Sequence, residues 1–166
     1  MRLDKRTGAS FLLWVCLMVG MALAQDWTVT PGEGVGALTV EMPLSSAAAI
    51  LKPTRTIGPA GNPAFVEYGK ELMIEYDSKR AAMISLHGNT FNTKAGAVNW
   101  TPYKGAKIGA SWNSVASQMT SRKLSRKLPT AKGYPAEFYY AYPDQGIGFR
   151  VKGGSIIQVD LWKVRR

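Results

Sequence analysis

The chain has 166 residues, with 21 Lys and Arg against 11 Asp and Glu, for a formal net charge of +10 at pH 7. It holds one histidine, His87, and one cysteine, Cys16. Those counts exclude a multi-histidine metal centre and an internal disulfide, and they leave any serine triad dependent on a single residue.

Met1 to Ala24 reads as a secretory signal peptide. Arg2, Lys5 and Arg6 form a basic start, Phe11 to Leu23 an apolar core, and Ala22-Leu23-Ala24 a small-x-small cleavage site. The apolar run is shorter than the roughly 18 to 20 residues that a membrane span requires. Cleavage leaves Gln25 first, with no cysteine and no further candidate span. A small exported domain without disulfides points to a bacterial periplasmic or secreted protein with a self-sufficient apolar core.

The mature chain opens on Trp27 and a run containing Gly32, Gly34 and Gly36. This run lacks the Lys-Ser/Thr pair of a phosphate-binding loop and reads as a flexible lead into a strand from Leu38 to Met42. Leu44, Ala47, Ala48 and Leu51 follow at helical spacing, with Ser45 or Ser46 as a cap and Pro53 as the stop. Thr54 to Pro63 reads as a loop rich in Gly and Pro. A short strand is expected near Phe65. Leu72, Ile74 and Tyr76 alternate, as do Ala82, Ile84 and Leu86, and a five-residue loop from Asp77 to Ala81 keeps both sets on one face. Gly88 to Gly96 reads as a polar connection.

The second stretch repeats the order. Trp112, Val115, Ala116 and Met119 predict one helical face capped by Ser111, with a break near Ser121. If the helix resumes, Arg122/Arg126 and Lys123/Lys127 are like-charge pairs at i, i+4. Phe138 to Trp162 predicts three antiparallel strands. A Pro143-Asp144-Gln145-Gly146 turn pairs Tyr142 with Ile147, Tyr140 with Phe149 and Phe138 with Val151. A second loop of three residues, Lys152 to Gly154, pairs Phe149 with Ile157 and Ile147 with Val159. The expected fold is α+β: a tandem repeat of a short helix plus a three- to four-stranded antiparallel meander, the helices packed on one sheet face. The repeats span 25–90 and 91–166.

Charge divides the two stretches. Gln25 to Thr93 carries five Lys/Arg and seven Asp/Glu, while Lys94 to the end carries thirteen and three. Such asymmetry bears on partners rather than on fold.

Ile108-Gly109-Ala110-Ser111, Val115 and the meander from Gly146 to Val159 carry a resemblance, while in the first stretch Glu41-Met42 stands where the same entry would have Gly-Met. The order is similar to that of the β-lactamase inhibitor protein-like modules and the outer-membrane assembly lipoproteins of the SmpA/OmlA type. That resemblance implies binding of other proteins rather than catalysis. Lipid tethering is not implied, because the mature chain has no cysteine.

No catalytic set is expected. His87 lies at a strand end with no G-x-S-x-G context. Glu67, Glu71, Glu75 and Asp77 are the residues a carboxylate-based hydrolase would use, but Glu71 and Glu75 alternate onto what reads as a solvated strand face. No cofactor or metal site is expected. The expected function is an exported, non-enzymatic envelope protein that binds a protein partner. The alternative is electrostatic attachment to anionic lipid or wall polymer; export and the lack of a recognised motif argue against nucleic acid. Candidate contact residues are Arg122, Lys123, Arg126, Lys127 and Lys132 in the basic segment. Tyr139, Arg150 and Lys152 join them on the meander face opposite the aromatic one.

Overall fold

The structure is a computed structural model that describes residues 26–165. The expected signal peptide therefore lies outside the described residues. The chain builds thirteen described strands and two short α-helices. In order these are β1 (Val29–Thr30), β2 (Gly34–Val35), β3 (Leu38–Thr39), α1 (Leu44–Ile50), β4 (Arg55–Ile57), β5 (Phe65–Tyr68), β6 (Leu72–Asp77) and β7 (Arg80–Leu86). There follow β8 (Thr90–Thr93), β9 (Gly96–Asn99), a 3-10 turn at Tyr103–Gly105, α2 (Trp112–Ala116), β10 (Leu124–Leu128), β11 (Glu137–Tyr142), β12 (Ile147–Lys152) and β13 (Ser155–Trp162).

Eight strands form one antiparallel sheet in the order β10-β11-β12-β13-β7-β6-β5-β4. One face carries the core. Leu72, Ile74, Ile84, Leu86, Ile147, Phe149, Ile156, Val159 and Leu161 are all at most 1% exposed on it. Over them lie α1, α2, the three-stranded β1-β2-β3 sheet and the β8-β9 hairpin, which contribute Leu38, Ala47, Phe91, Trp112 and Val115 to the same core. Trp112 stacks on Tyr140 at 4.3 Å and lies 5.4 Å from Phe149.

This corrects the expected tandem repeat of helix plus meander with helices covering a sheet face. The described residues are 45% strand and 11% helix, and the sheet is a single body of eight strands. The physical reason lies in the helix bounds. Pro43 and Pro53 confine α1 to seven residues, and α2 stops after five. Neither is long enough to cover a sheet, so short strands and loops do most of the covering. Neither cap serine makes the expected bond: the cap position of α1 is Pro43, and Ser111 at α2 makes no side-chain cap hydrogen bond.

Other elements differ in detail. The strand expected through Met42 ends at Thr39, because Glu41 turns to φ 67° and its N–H bonds the Ala81 carbonyl. The Thr54–Pro63 loop contains β4, which extends the sheet beyond β5. The polar Gly88–Gly96 connection contains β8 and buries Phe91. The basic segment beyond the expected break near Ser121 does not resume a helix; it is β10. Its Leu124/Leu128 spacing suits a helix, but the free edge of β11 offers five ladder positions, and pairing satisfies that backbone.

The first turn of the last meander closes as expected, with Tyr142 on Ile147, Tyr140 on Phe149 and Phe138 on Val151. The second does not use a three-residue loop. Lys152 pairs with Ser155 across Gly153-Gly154, both at positive φ, and Ile157 is then left over as a bulge. Phe149 consequently faces Val159, and Ile147 faces Leu161. The five-residue Asp77–Ala81 loop is corrected in the same way. Asp77 pairs with Arg80 across Ser78-Lys79, and Ala82 is the extra residue. A two-residue turn with both residues left-handed matches strand twist, and a bulge restores the side-chain alternation.

Each hairpin tip also anchors a helix. Leu44 N–H bonds Lys79 O at 2.9 Å, and Trp112 N–H bonds Gly154 O at 2.9 Å.

Ser78 and Lys79 sit at φ 50° and 65°, where side chains are strained. Replacing them with Asn-Gly is expected to raise the unfolding free energy by about 1 kcal/mol in urea melts. Gly146 is the opposite case. At φ 70°, a Cβ there would collide with the Trp162 carbonyl and lie 2.7 Å from Gly32 Cα. Gly146→Ala is expected to cost about 2–3 kcal/mol in the same measurement.

Candidate functional site

The second face of the large sheet is the candidate site. Strand alternation sends every other residue there, and the register arranges them in rows. One row runs Trp162, Met83, Glu75, Phe65, Ile57 across five strands. A second runs Ala141, Gly148, Asp160, Ser85, Met73, Glu67, Arg55. A third runs Arg126, Tyr139, Arg150, Gln158. Met73, Met83, Phe65 and Trp162 are half-buried and stand outside the core cluster. No helix or strand among the described residues packs over them.

The middle of this face is tightly built even so. Asp160 is 2% exposed and accepts a hydrogen bond from Gln158 Nε2 at 2.8 Å, while the Tyr139 hydroxyl lies over the neighbouring Gly148. Burial and the adjacent Asp160 charge push the Tyr139 hydroxyl far above its ordinary value, so it remains a proton donor. Gly148 makes room for this arrangement, because a side chain there would strike the Tyr139 hydroxyl and the Trp162 ring. Ser85, 1% exposed and opposite Asp160, leaves its Oγ without a partner.

Toward one end, Glu137 receives two cations. Lys152 Nζ lies 3.0 Å from Oε1, and Arg150 approaches Oε2 through Nη2 at 2.6 Å and Nε at 2.8 Å. Bonds from Lys152 and Arg150 hold the Glu137 carboxyl below its usual range.

The structure brings together some of the expected contact residues. Arg126, Tyr139 and Arg150 form one row on the open face, with Lys152 beside them on Glu137. Lys127 pairs with Phe138 on the opposite face, where Lys123 Nζ also lies 5.4 Å from the Tyr140 ring. Arg122 and Lys132 are exposed to either side of β10. The acidic residues are dispersed: Glu67 pairs with Arg55 at 3.5 Å, Glu71 accepts the Lys70 N–H, Glu75 lies in the apolar row, and Asp77 is exposed at a turn.

Sequence reasoning missed Trp162, Met83, Met73 and Phe65. The available signal was apolar residues at the off-phase positions of alternating strands. Among the described residues, no group of three His, Cys, Asp or Glu is placed to hold a metal ion, and no helix is long and apolar enough to cross a membrane. No model of a known protein family, no curated protein and no solved structure matches the chain.

His87 continues the open side of β7. Burial holds its imidazole below the ordinary value of 6.5; Asp160 raises it, Arg150 lowers it and Glu67 raises it. The unfolded chain therefore binds the proton first as pH falls. Stability from neutral His87 is complete above about pH 6.5 and is lost below it. The Glu137 contribution is lost only below its own ordinary value of 4.5. Urea melts are expected to show stability falling from about pH 7.5 to about pH 5.5, and His87→Asn to flatten that interval.

Proposed function

We propose that this is an exported, non-enzymatic envelope protein that binds a partner protein through the open face of its eight-stranded sheet. The observation that carries this reading is the row Trp162, Met83, Glu75, Phe65, Ile57 beside the row Arg126, Tyr139, Arg150, Gln158. Aromatic residues, Met and Arg are the side chains enriched at protein interfaces, where a few large ones carry most of the energy. The resemblance to the β-lactamase inhibitor protein-like modules implies the same class of activity. Export rests on the signal reading of Met1 to Ala24.

The face is also prepared for contact. Gln158 is bonded to the buried Asp160, and Glu137 holds Arg150 and Lys152. A partner meeting these groups has little side-chain freedom left to remove, which favours affinity.

Retention of a partner from envelope extract is expected to persist across a range of salt concentrations. It is expected to weaken roughly 30-fold on the double change Trp162→Ala and Phe65→Ala, with folding checked by circular dichroism. Retention that vanishes with salt and ignores these changes would instead indicate attachment to anionic lipid or wall polymer.

A further inference from the structure

β10 ends the large sheet, and its outer ladder of N–H and C=O groups has no strand partner among the described residues. Its register with β11 is continuous over all five residues, with no proline, glycine or bulge to spoil a further pairing. Leu124, Ser125, Arg126 and Lys127 are exposed, Leu124 to 46%. The opposite edge differs. β4 has three residues, and its Arg55 is already paired with Glu67.

Charge selects what such an edge accepts. From Arg122 to Lys132 there are five Lys and Arg and no Asp or Glu. None of the five makes an ion pair among the described residues. Lysine on an edge strand deters pairing with like-charged strands, which disfavours a second copy of β10. The same charges favour an acidic strand, since opposite charges across a strand pair attract.

Geometry separates a strand from a flat anionic surface. Arg126 is directed to the open face with Tyr139, whereas Lys127 and Lys123 lie on the covered side, with Phe138 and Tyr140. A bilayer or wall surface laid on either face meets only one of these sets. An extended peptide laid along the edge has side chains alternating to both faces and meets both.

We propose that β10 accepts an extended acidic segment of a partner protein as a ninth strand. The backbone ladder holds the segment, and Arg126 on one face with Lys127 and Lys123 on the other select acidic side chains at successive positions. This surface shares only Arg126 with the open-face rows, and the Trp162 and Phe65 changes that test those rows lie outside it, so either reading can fail without the other.

The test titrates isotope-labelled protein with a capped synthetic peptide of repeating Glu-Glu-Val-Val, which sends glutamate to both faces of an added strand, following amide exchange and binding by NMR. The expected result is slowed exchange confined to the Leu124–Leu128 amides. Affinity is expected to fall about tenfold or more when proline replaces each valine, and likewise with the double change Arg126→Glu and Lys127→Glu. Both changed residues are exposed, and circular dichroism confirms that the variant folds. The proposal is overturned if the peptide does not bind, or if the proline peptide binds equally well. Protection appearing at β4 instead, or phosphatidylglycerol vesicles protecting the same amides, also overturns it.

Discussion

The pairing of β13 with β7 is the interaction on which the rest of the molecule depends. Val159 faces Leu86 and Leu161 faces Ile84, and all four are fully buried. This seam joins the strands drawn from the first stretch, β4 to β7, to those drawn from the second, β10 to β13. Without it the core would be cut in two and each part would show a long apolar edge, the arrangement that invites aggregation. With it, one continuous face spans eight strands, and the rows that define the candidate site can run across both stretches.

The seam has a polar side as well. On the open face directly behind those apolar pairs lie Asp160 and Ser85, both almost completely buried. A buried carboxylate is costly unless it is hydrogen-bonded, and Gln158 supplies a bond. The site is therefore rigid where the two strand runs meet and softer toward its margins. The opposite charge balances of the two stretches are carried on one surface: Glu67 and Glu75 lie to one side of the seam, Arg126, Arg150 and Lys152 to the other.

How far the sequence could be read depended on what each pattern left ambiguous. The Tyr142–Ile147, Tyr140–Phe149 and Phe138–Val151 pairs were legible because alternation and the Pro-Asp-Gln-Gly turn agree. The neighbouring Gly153-Gly154 turn was misread because a longer loop and a bulge at Ile157 both restore apolar parity, and parity alone cannot separate them. β10 was left open because the helical phase slips before Leu124 and Leu128 without an alternating apolar pattern to replace it, and only the waiting edge of β11 makes the segment a strand. The expected helix-plus-meander repeat failed for a related reason. Local spacing shows that a helix can start, while its reach over a sheet depends on the prolines and loops that stop it. Trp162 and Met83 showed as apolar residues at off-phase positions, but alternation divides a strand into two faces without saying which face the other elements will cover.

The seam also bears on how the molecule comes to exist. β13 is the last strand among the described residues, yet it occupies the centre of the sheet, between β12 and β7. Leu86 must hold its place, unpaired on that side, until Val159 has been made and has come back across most of the second stretch. Such long-range closure is slow compared with hairpin formation. The two hairpins β6-β7 and β12-β13, each closed by a tight turn and each docked to its own helix, can form early and wait. The seam is the long-range contact that the topology needs to complete the sheet, and the continuous open face depends on it.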